Sequence, residues 1–149
     1  MSLSLKIPPL ILLALFAGLA SALAQFDGGI LPAPVIIPMA LIALAAVFLL
    51  PAVAGFARAG TTVDPRTPEE STQLVTSGLY RLSRNPMYVA FVLLMLAGAL
   101  YLQSALALLA TGLYAVWLHI WQIRPEEKAL AARFGEQFHA YCRETRRWL

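Results

Sequence analysis

Two short stretches of this chain hold most of the side chains whose types and spacing could do chemistry. Tyr80, Arg81, Arg84, Asn85 and Tyr88 make up the first, and His119, Gln122, Arg124, Glu126 and Glu127 the second. Arginines, a pair of carboxylates and aromatic rings suit a zwitterionic, partly apolar ligand. A guanidinium meets an anion, a carboxylate meets a cation or hydroxyls, and rings cover the apolar body. Cys142 is the single cysteine, so it forms no internal disulfide, and one thiol makes no metal site. The two stretches lie far apart in the chain, so the elements between them must bring them together.

Those elements are greasy. Of the 149 residues, 60% are hydrophobic and 13% charged, against about 45–50% and about 25% in soluble domains. So little charge cannot cover a small soluble globule, and so much apolar surface excludes disorder. The length allows one domain, residues 1–149. Charge is absent from Ile7 to Gln25, from Gly28 to Ala57 and from Asn85 to Ile123. A spanning helix needs about 20 apolar residues. The first two runs therefore suit one crossing each, and the third must fold back, best at Gln103-Ser104. The expected fold is all-α and integral to the membrane, with four spans near 7–25, 34–56, 86–102 and 104–123. The last two spans form a hairpin whose feet carry the two polar stretches. No span contains Asp, Glu, Lys or Arg, which argues against an ion or proton path.

Lys and Arg set the orientation. Four spans place all 11 of them on one side, with the N-terminus, the loop over 57–85 and the tail. That side is the cytoplasm, so the protein is expected to be a multi-pass protein of the cell membrane with both termini cytoplasmic. Met1 to Ala24 also resembles a secretory signal ending in Ala22-Leu23-Ala24. Its apolar run is longer than a signal core, so an anchor is the expectation. Residues 61–76 read as a polar interfacial loop. Beyond Arg124, Pro125 suits a first helical position, Glu126 and Glu127 suit the first turn, and Leu130, Phe134, Phe138 and Tyr141 fall on one stripe. These features predict a C-terminal amphipathic helix over about 125–142, lying on the cytoplasmic surface or covering a cavity there.

The run Thr76-Ser77-Gly78-Leu79-Tyr80-Arg81-Leu82-Ser83-Arg84-Asn85-Pro86-Met87-Tyr88, then Arg124-Pro125-Glu126-Glu127, then Phe134-Gly135-Glu136-Gln137-Phe138-His139-Ala140-Tyr141, resembles the isoprenylcysteine carboxyl methyltransferase and phospholipid methyltransferase superfamily. The resemblance covers roughly residues 76–149. Two positions depart from its pattern: Asn85 stands for a histidine and Ala90 for a glycine. The resemblance implies an integral-membrane enzyme that uses S-adenosylmethionine, with Tyr80, Arg84, Asn85, Pro86, Tyr88, Glu126 and Glu127 binding that cofactor. It places Arg84 against a carboxylate, Glu126 or Glu127 on ribose hydroxyls or an ammonium, and Arg124 near the reacting centre. His119 is the remaining candidate for catalysis. The implied partners are the bilayer and a lipid-like or apolar methyl acceptor, with no metal and no nucleic acid.

Each of these residues also has a plainer role. Arg84 and Arg124 can snorkel at a membrane foot, Asn85-Pro86 can cap and start a helix, and Tyr80 and Tyr88 can sit in an aromatic belt. Glu126 and Glu127 can complement a helix dipole, His119 can pack at an interface, and Trp117, Trp121 and Trp148 can anchor there. A carboxylate acceptor arrives ionised and needs no base, whereas a thiol or amine does. With His119 and the glutamate pair as the candidates, the sequence leans towards an acceptor that is already nucleophilic. The rival reading is a non-catalytic membrane scaffold or assembly subunit that docks partners through the hairpin feet and tail helix.

Overall fold

The structure is a computed structural model that describes residues 7–60 and 72–149. The loop expected over 61–76 falls mostly outside them, as do Lys6 and Arg66. Every regular element among the described residues is helical: α1 (Pro9–Asp27), α2 (Ile36–Ala59), a 3₁₀ turn (Gly78–Arg81), α3 (Pro86–Tyr101), α4 (Ala105–Trp117), a π-helical turn (Leu118–Ile123), α5 (Arg124–Phe134) and α6 (Glu136–Glu144). α2 packs along α3, α1 along α4, and α3 joins α4.

α1 and α2 are long and apolar enough to cross a membrane. Leu10, Leu15 and Leu19 of α1 and Ile42, Val47 and Leu50 of α2 are exposed, a liability in water that disappears against lipid chains. α4, the π turn and α5 run on as one rod of 30 residues, Ala105–Phe134. At 1.5 Å per residue the rod is roughly 45 Å long against roughly 30 Å of hydrocarbon. Its apolar part ends at Ile123, and α5 projects beyond. α3 is the shorter partner at 16 residues. The molecule is thus a multi-pass membrane protein with three helices of full spanning length and one shorter apolar helix among the described residues.

The hairpin turn falls where expected. Gln103 takes the left-handed conformation (φ 54°), and Ser104 caps α4, its Oγ accepting from the Ala107 N–H at 3.0 Å. The α1–α2 connection locks onto this turn. Asp27 accepts from the Ser104 hydroxyl and from the Leu106 N–H (2.8 Å), and Gly29 and Leu31 donate their N–H groups to the Gln103 carbonyl at 3.1 and 3.0 Å. This is the far end of the bundle. The termini of α2, α3 and α5 that carry the chemistry gather at the other.

Two expectations need correction there. The single C-terminal helix over 125–142 is two helices, because Gly135 adopts φ 52°, ψ −125°, a conformation open to glycine but costly with a Cβ. The apolar stripe survives the break: Phe138 and Tyr141 are buried with Ala52, Val75 and Tyr80, and Leu130 and Phe134 pack beside them. The expected side-chain cap at Asn85 is also absent. Pro86 opens α3, but the Asn85 amide turns away to the C-terminal segment.

Candidate functional site

The hairpin brings the two polar stretches together, and the tail closes over them. Arg84 precedes α3 and is 11% exposed. Its Nε and Nη2 both donate to Glu127 Oε1, at 3.1 and 2.9 Å. Its Nη1 donates to the Cys142 carbonyl at 3.3 Å and to the Thr145 carbonyl. Glu127 also receives Arg147, whose Nε lies 3.1 and 3.0 Å from its two oxygens and whose Nη2 lies 2.7 Å from Oε2. One carboxylate thus binds two guanidinium groups, and the cluster keeps a net positive charge. Burial alone would push the Glu127 carboxyl up. Hydrogen bonds from Arg147 and Arg84 and their positive charge outweigh it and hold the group below its ordinary range.

Backbone contacts fix the tail in place. The Arg84 N–H donates to the Arg146 carbonyl and the Asn85 Nδ2 to the Arg147 carbonyl, both at 2.9 Å. Ser83, fully buried, adds its hydroxyl to the Arg147 carbonyl at 3.5 Å. Tyr141 donates its hydroxyl to the Tyr80 carbonyl at 2.6 Å, and the Tyr80 ring meets Phe56 of α2 edge-on at 5.4 Å.

Glu126 is treated differently from its neighbour. Among the described residues its one partner is Tyr88, whose hydroxyl donates to Oε2 at 3.0 Å. No cation reaches it. Burial pushes its carboxyl up to about 7, Glu127 adds to the rise, and the Tyr88 hydrogen bond partly opposes it. Burial and the nearby Glu126 likewise push the Tyr80 phenol up. The Glu-Glu pair is split: Glu127 is ionised and saturated with donors, and Glu126 is desolvated and nearly unengaged.

His119 and Arg124 stand apart from this network. His119 Nδ1 accepts the Trp148 indole N–H at 3.4 Å, so its neutral ring carries the proton on Nε2. Arg124 is exposed and makes no ion pair or hydrogen bond among the described residues. Trp148 packs among the helices rather than anchoring at an interface; Trp117 packs against the core beside Phe16 of α1, and exposed Trp121 stacks on it at 4.7 Å. Among the described residues no group of His, Cys, Asp and Glu could hold a metal ion.

An apolar cavity of about 580 Å³ opens between α1 and α2 in front of α3, lined by Pro8, Pro9, Leu10, Leu49, Leu50, Val53, Ala54, Met87 and Phe91. Met87 adjoins Tyr88, so the cavity reaches the level of the polar site.

Sequence reasoning missed Arg147. It is the third residue from the end of the sequence, with no periodic or motif signal, one of several tail arginines. Gln122 drew notice as a polar group but no role. It is buried in the π turn, a geometry that recurs at functional sites.

Comparison with known proteins places this arrangement. A family model for phospholipid methyltransferases matches residues 33–137, from just before α2 into α6, so the kinship reaches further towards the N-terminus than the motifs alone and leaves Arg147 outside. The chain is also 35% identical over 63 residues to an uncharacterized protein of Haemophilus influenzae, an alignment covering 42% of this chain and 100% of that protein. No solved structure matches. Membership of a membrane methyltransferase family accounts for the greasy helices and the convergent arginine and glutamate side chains together, and the chain belongs to the phospholipid methyltransferase family.

Proposed function

We propose that this protein transfers a methyl group from S-adenosylmethionine to a lipid-like acceptor at the cytoplasmic face of the cell membrane, as a single domain of four spans with both termini in the cytoplasm. The observation that carries this reading is the split glutamate pair: Glu127 clamped by Arg84 and Arg147, and Glu126 held by Tyr88 alone. The donor set fits the cofactor's charge pattern. Two guanidiniums against one carboxylate leave a positive edge for an anion, and the nearly unengaged Glu126 offers an acceptor for an ammonium or ribose hydroxyls.

S-adenosylmethionine, when bound, supplies a methyl group on a sulfonium whose sulfur leaves as a neutral thioether. The chain's own part is to bind, orient and exclude water. Arg84 and Arg147 present positive charge, Glu126 accepts hydrogen bonds, Tyr80 and Tyr88 pack beside the cofactor, and Asn85 and Pro86 fix the entry to α3. Glu127 keeps both guanidiniums in register. Arg124, exposed beside the site, orients the acceptor's polar end, and His119 supports that end without acting as a base. The apolar cavity receives the acceptor's chain from the bilayer.

The test is calorimetric binding of S-adenosylhomocysteine to the purified full chain in detergent. Saturable binding at micromolar concentration, weakened by Arg84→Ala, is the expected result. A chain that binds none at about millimolar levels is a scaffold, and the methyl-transfer reading falls.

A further inference from the structure

The side chains assigned to the cofactor lie under cover. Arg84 is 11% exposed and Glu127 14%, and Asn85 and Tyr88 are buried. A ligand of the cofactor's size reaches them only if a covering element moves. α3 and the rod that carries Glu126 and Glu127 are continuous helices. The tail over residues 145–149 is different: it follows α6 without helix or strand, and Thr145 leaves the helix in an extended conformation (φ −123°, ψ 134°). An extended segment has no internal ladder of hydrogen bonds to break, so it lifts at lower cost than a helix.

The ties of this segment fall on the site itself. The Thr145 carbonyl receives the Arg84 Nη1, the Arg146 carbonyl the Arg84 N–H at 2.9 Å, and the Arg147 carbonyl the Asn85 Nδ2 at 2.9 Å. The Arg147 guanidinium holds Glu127. The near end is fixed: the Thr145 N–H donates to the Tyr141 carbonyl at 3.0 Å, and the Tyr141 hydroxyl is bound to the Tyr80 carbonyl. The far end is pinned by Trp148, which packs against two of the hydrophobic clusters and donates its indole N–H to His119 Nδ1 at 3.4 Å. That pin lies apart from the arginine–glutamate network.

We propose that residues 145–149 are a lid over the cofactor site, hinged at Thr145 and latched by Trp148, which lifts to admit S-adenosylmethionine and lifts again to release the demethylated product. The inference rests on the methyl-transfer reading and adds to it that the tail gates cofactor exchange. Trp148 is a positioning residue: it holds the segment down, and the segment's own carbonyls and the Arg147 side chain meet the site.

The test is rapid-mixing kinetics of radiolabelled S-adenosylhomocysteine on the full chain in detergent. Lid opening precedes binding, so the observed association rate of the parent should level off as the ligand concentration rises. Trp148→Ala removes the latch from the free and the bound closed states alike. It should raise the association and dissociation rate constants together, each by about tenfold, and leave Kd within about threefold. Trp148→Phe keeps most of the packing without the N–H and should shift both rates in the same sense by about threefold. A parent rate that climbs linearly with concentration without levelling overturns the lid, with no variant needed. Unchanged rates in a folded Trp148→Ala do the same, and a rise in dissociation alone makes Trp148 a binding residue instead. If Trp148→Ala does not fold, the parent and Trp148→Phe decide. A parent that binds no S-adenosylhomocysteine removes the methyl-transfer reading and the lid together, whereas ungated binding removes the lid alone.

Discussion

Glu127 and Arg147 lie 20 residues apart on α5 and the tail, and the Arg147 guanidinium reaches both oxygens of the Glu127 carboxylate. The same carboxylate carries Arg84, so the tail and the foot of α3 are joined through one acidic side chain. Removing Arg147 loosens both the tail and Arg84. Arg147→Ala is expected to weaken S-adenosylhomocysteine binding about tenfold, the loss of roughly one charge-assisted contact, as measured by calorimetry. Unchanged affinity would show that the tail serves the fold alone.

Arg84→Ala should weaken S-adenosylhomocysteine binding by about tenfold or more, from loss of a charged contact worth roughly 1.5–3 kcal/mol. Arg84→Lys should recover part of that, because an ammonium cannot reach Glu127 and the two tail carbonyls together. Parent-like affinity in Arg84→Ala makes Arg84 a structural clamp only.

The glutamate pair should respond to pH in opposite senses. Glu127 titrates below its ordinary value of 4.5 when folded, so the stability it contributes is complete above pH 4.5 and lost as pH falls through the lowered value. Glu126 titrates at about 7 against 4.5, so its ionisation costs the folded state stability as pH rises from 4.5 to 7. Melting temperatures in detergent should therefore show Glu127→Gln flattening the acid limb and Glu126→Gln removing the decline towards neutrality. A decline that persists in Glu126→Gln assigns it to another group.

Turnover should separate Arg124 from His119. Arg124→Ala is expected to leave S-adenosylhomocysteine affinity within about threefold and to lower turnover about tenfold, a transition-state loss of at least ~1.4 kcal/mol. His119→Ala should give a modest loss with an unchanged pH–rate profile, because its Nδ1 lone pair is committed to Trp148. Disappearance of an acidic limb in His119→Ala would make the histidine a base.

A reporter fused to either terminus should be active in the cytoplasm. Activity of either fusion outside it overturns the four-span orientation.

Much of the architecture was legible because charge and hydropathy are local properties. The uncharged runs located the helices, Gln103-Ser104 marked the hairpin turn, and the hairpin explains why Arg84 meets Glu127. The division of labour between Glu126 and Glu127 was not legible. Adjacent residues on a helix point in different directions, and which one meets the arginines depends on where the tail lies. Arg147 stayed hidden for the same reason, since its partner is set by tertiary packing. The break at Gly135 leaves no mark on the periodicity of Leu130, Phe134, Phe138 and Tyr141, because a kink that keeps one apolar face leaves the pattern intact.

The clasp of Asp27 on Ser104 and Leu106, with Gly29 and Leu31 on the Gln103 carbonyl, ties all four apolar helices at one end. No comparable set of main-chain ties joins α1 to α2 at the opposite end among the described residues, where the cavity lies. The bundle is therefore built like tongs. Main-chain bonds hold the α1–α2 connection at the clasp, whereas at the other end α1 is held through the Ile7 carbonyl and Gln122. If a lipid acceptor enters between α1 and α2, as proposed above, it meets the bundle at the end farthest from the clasp.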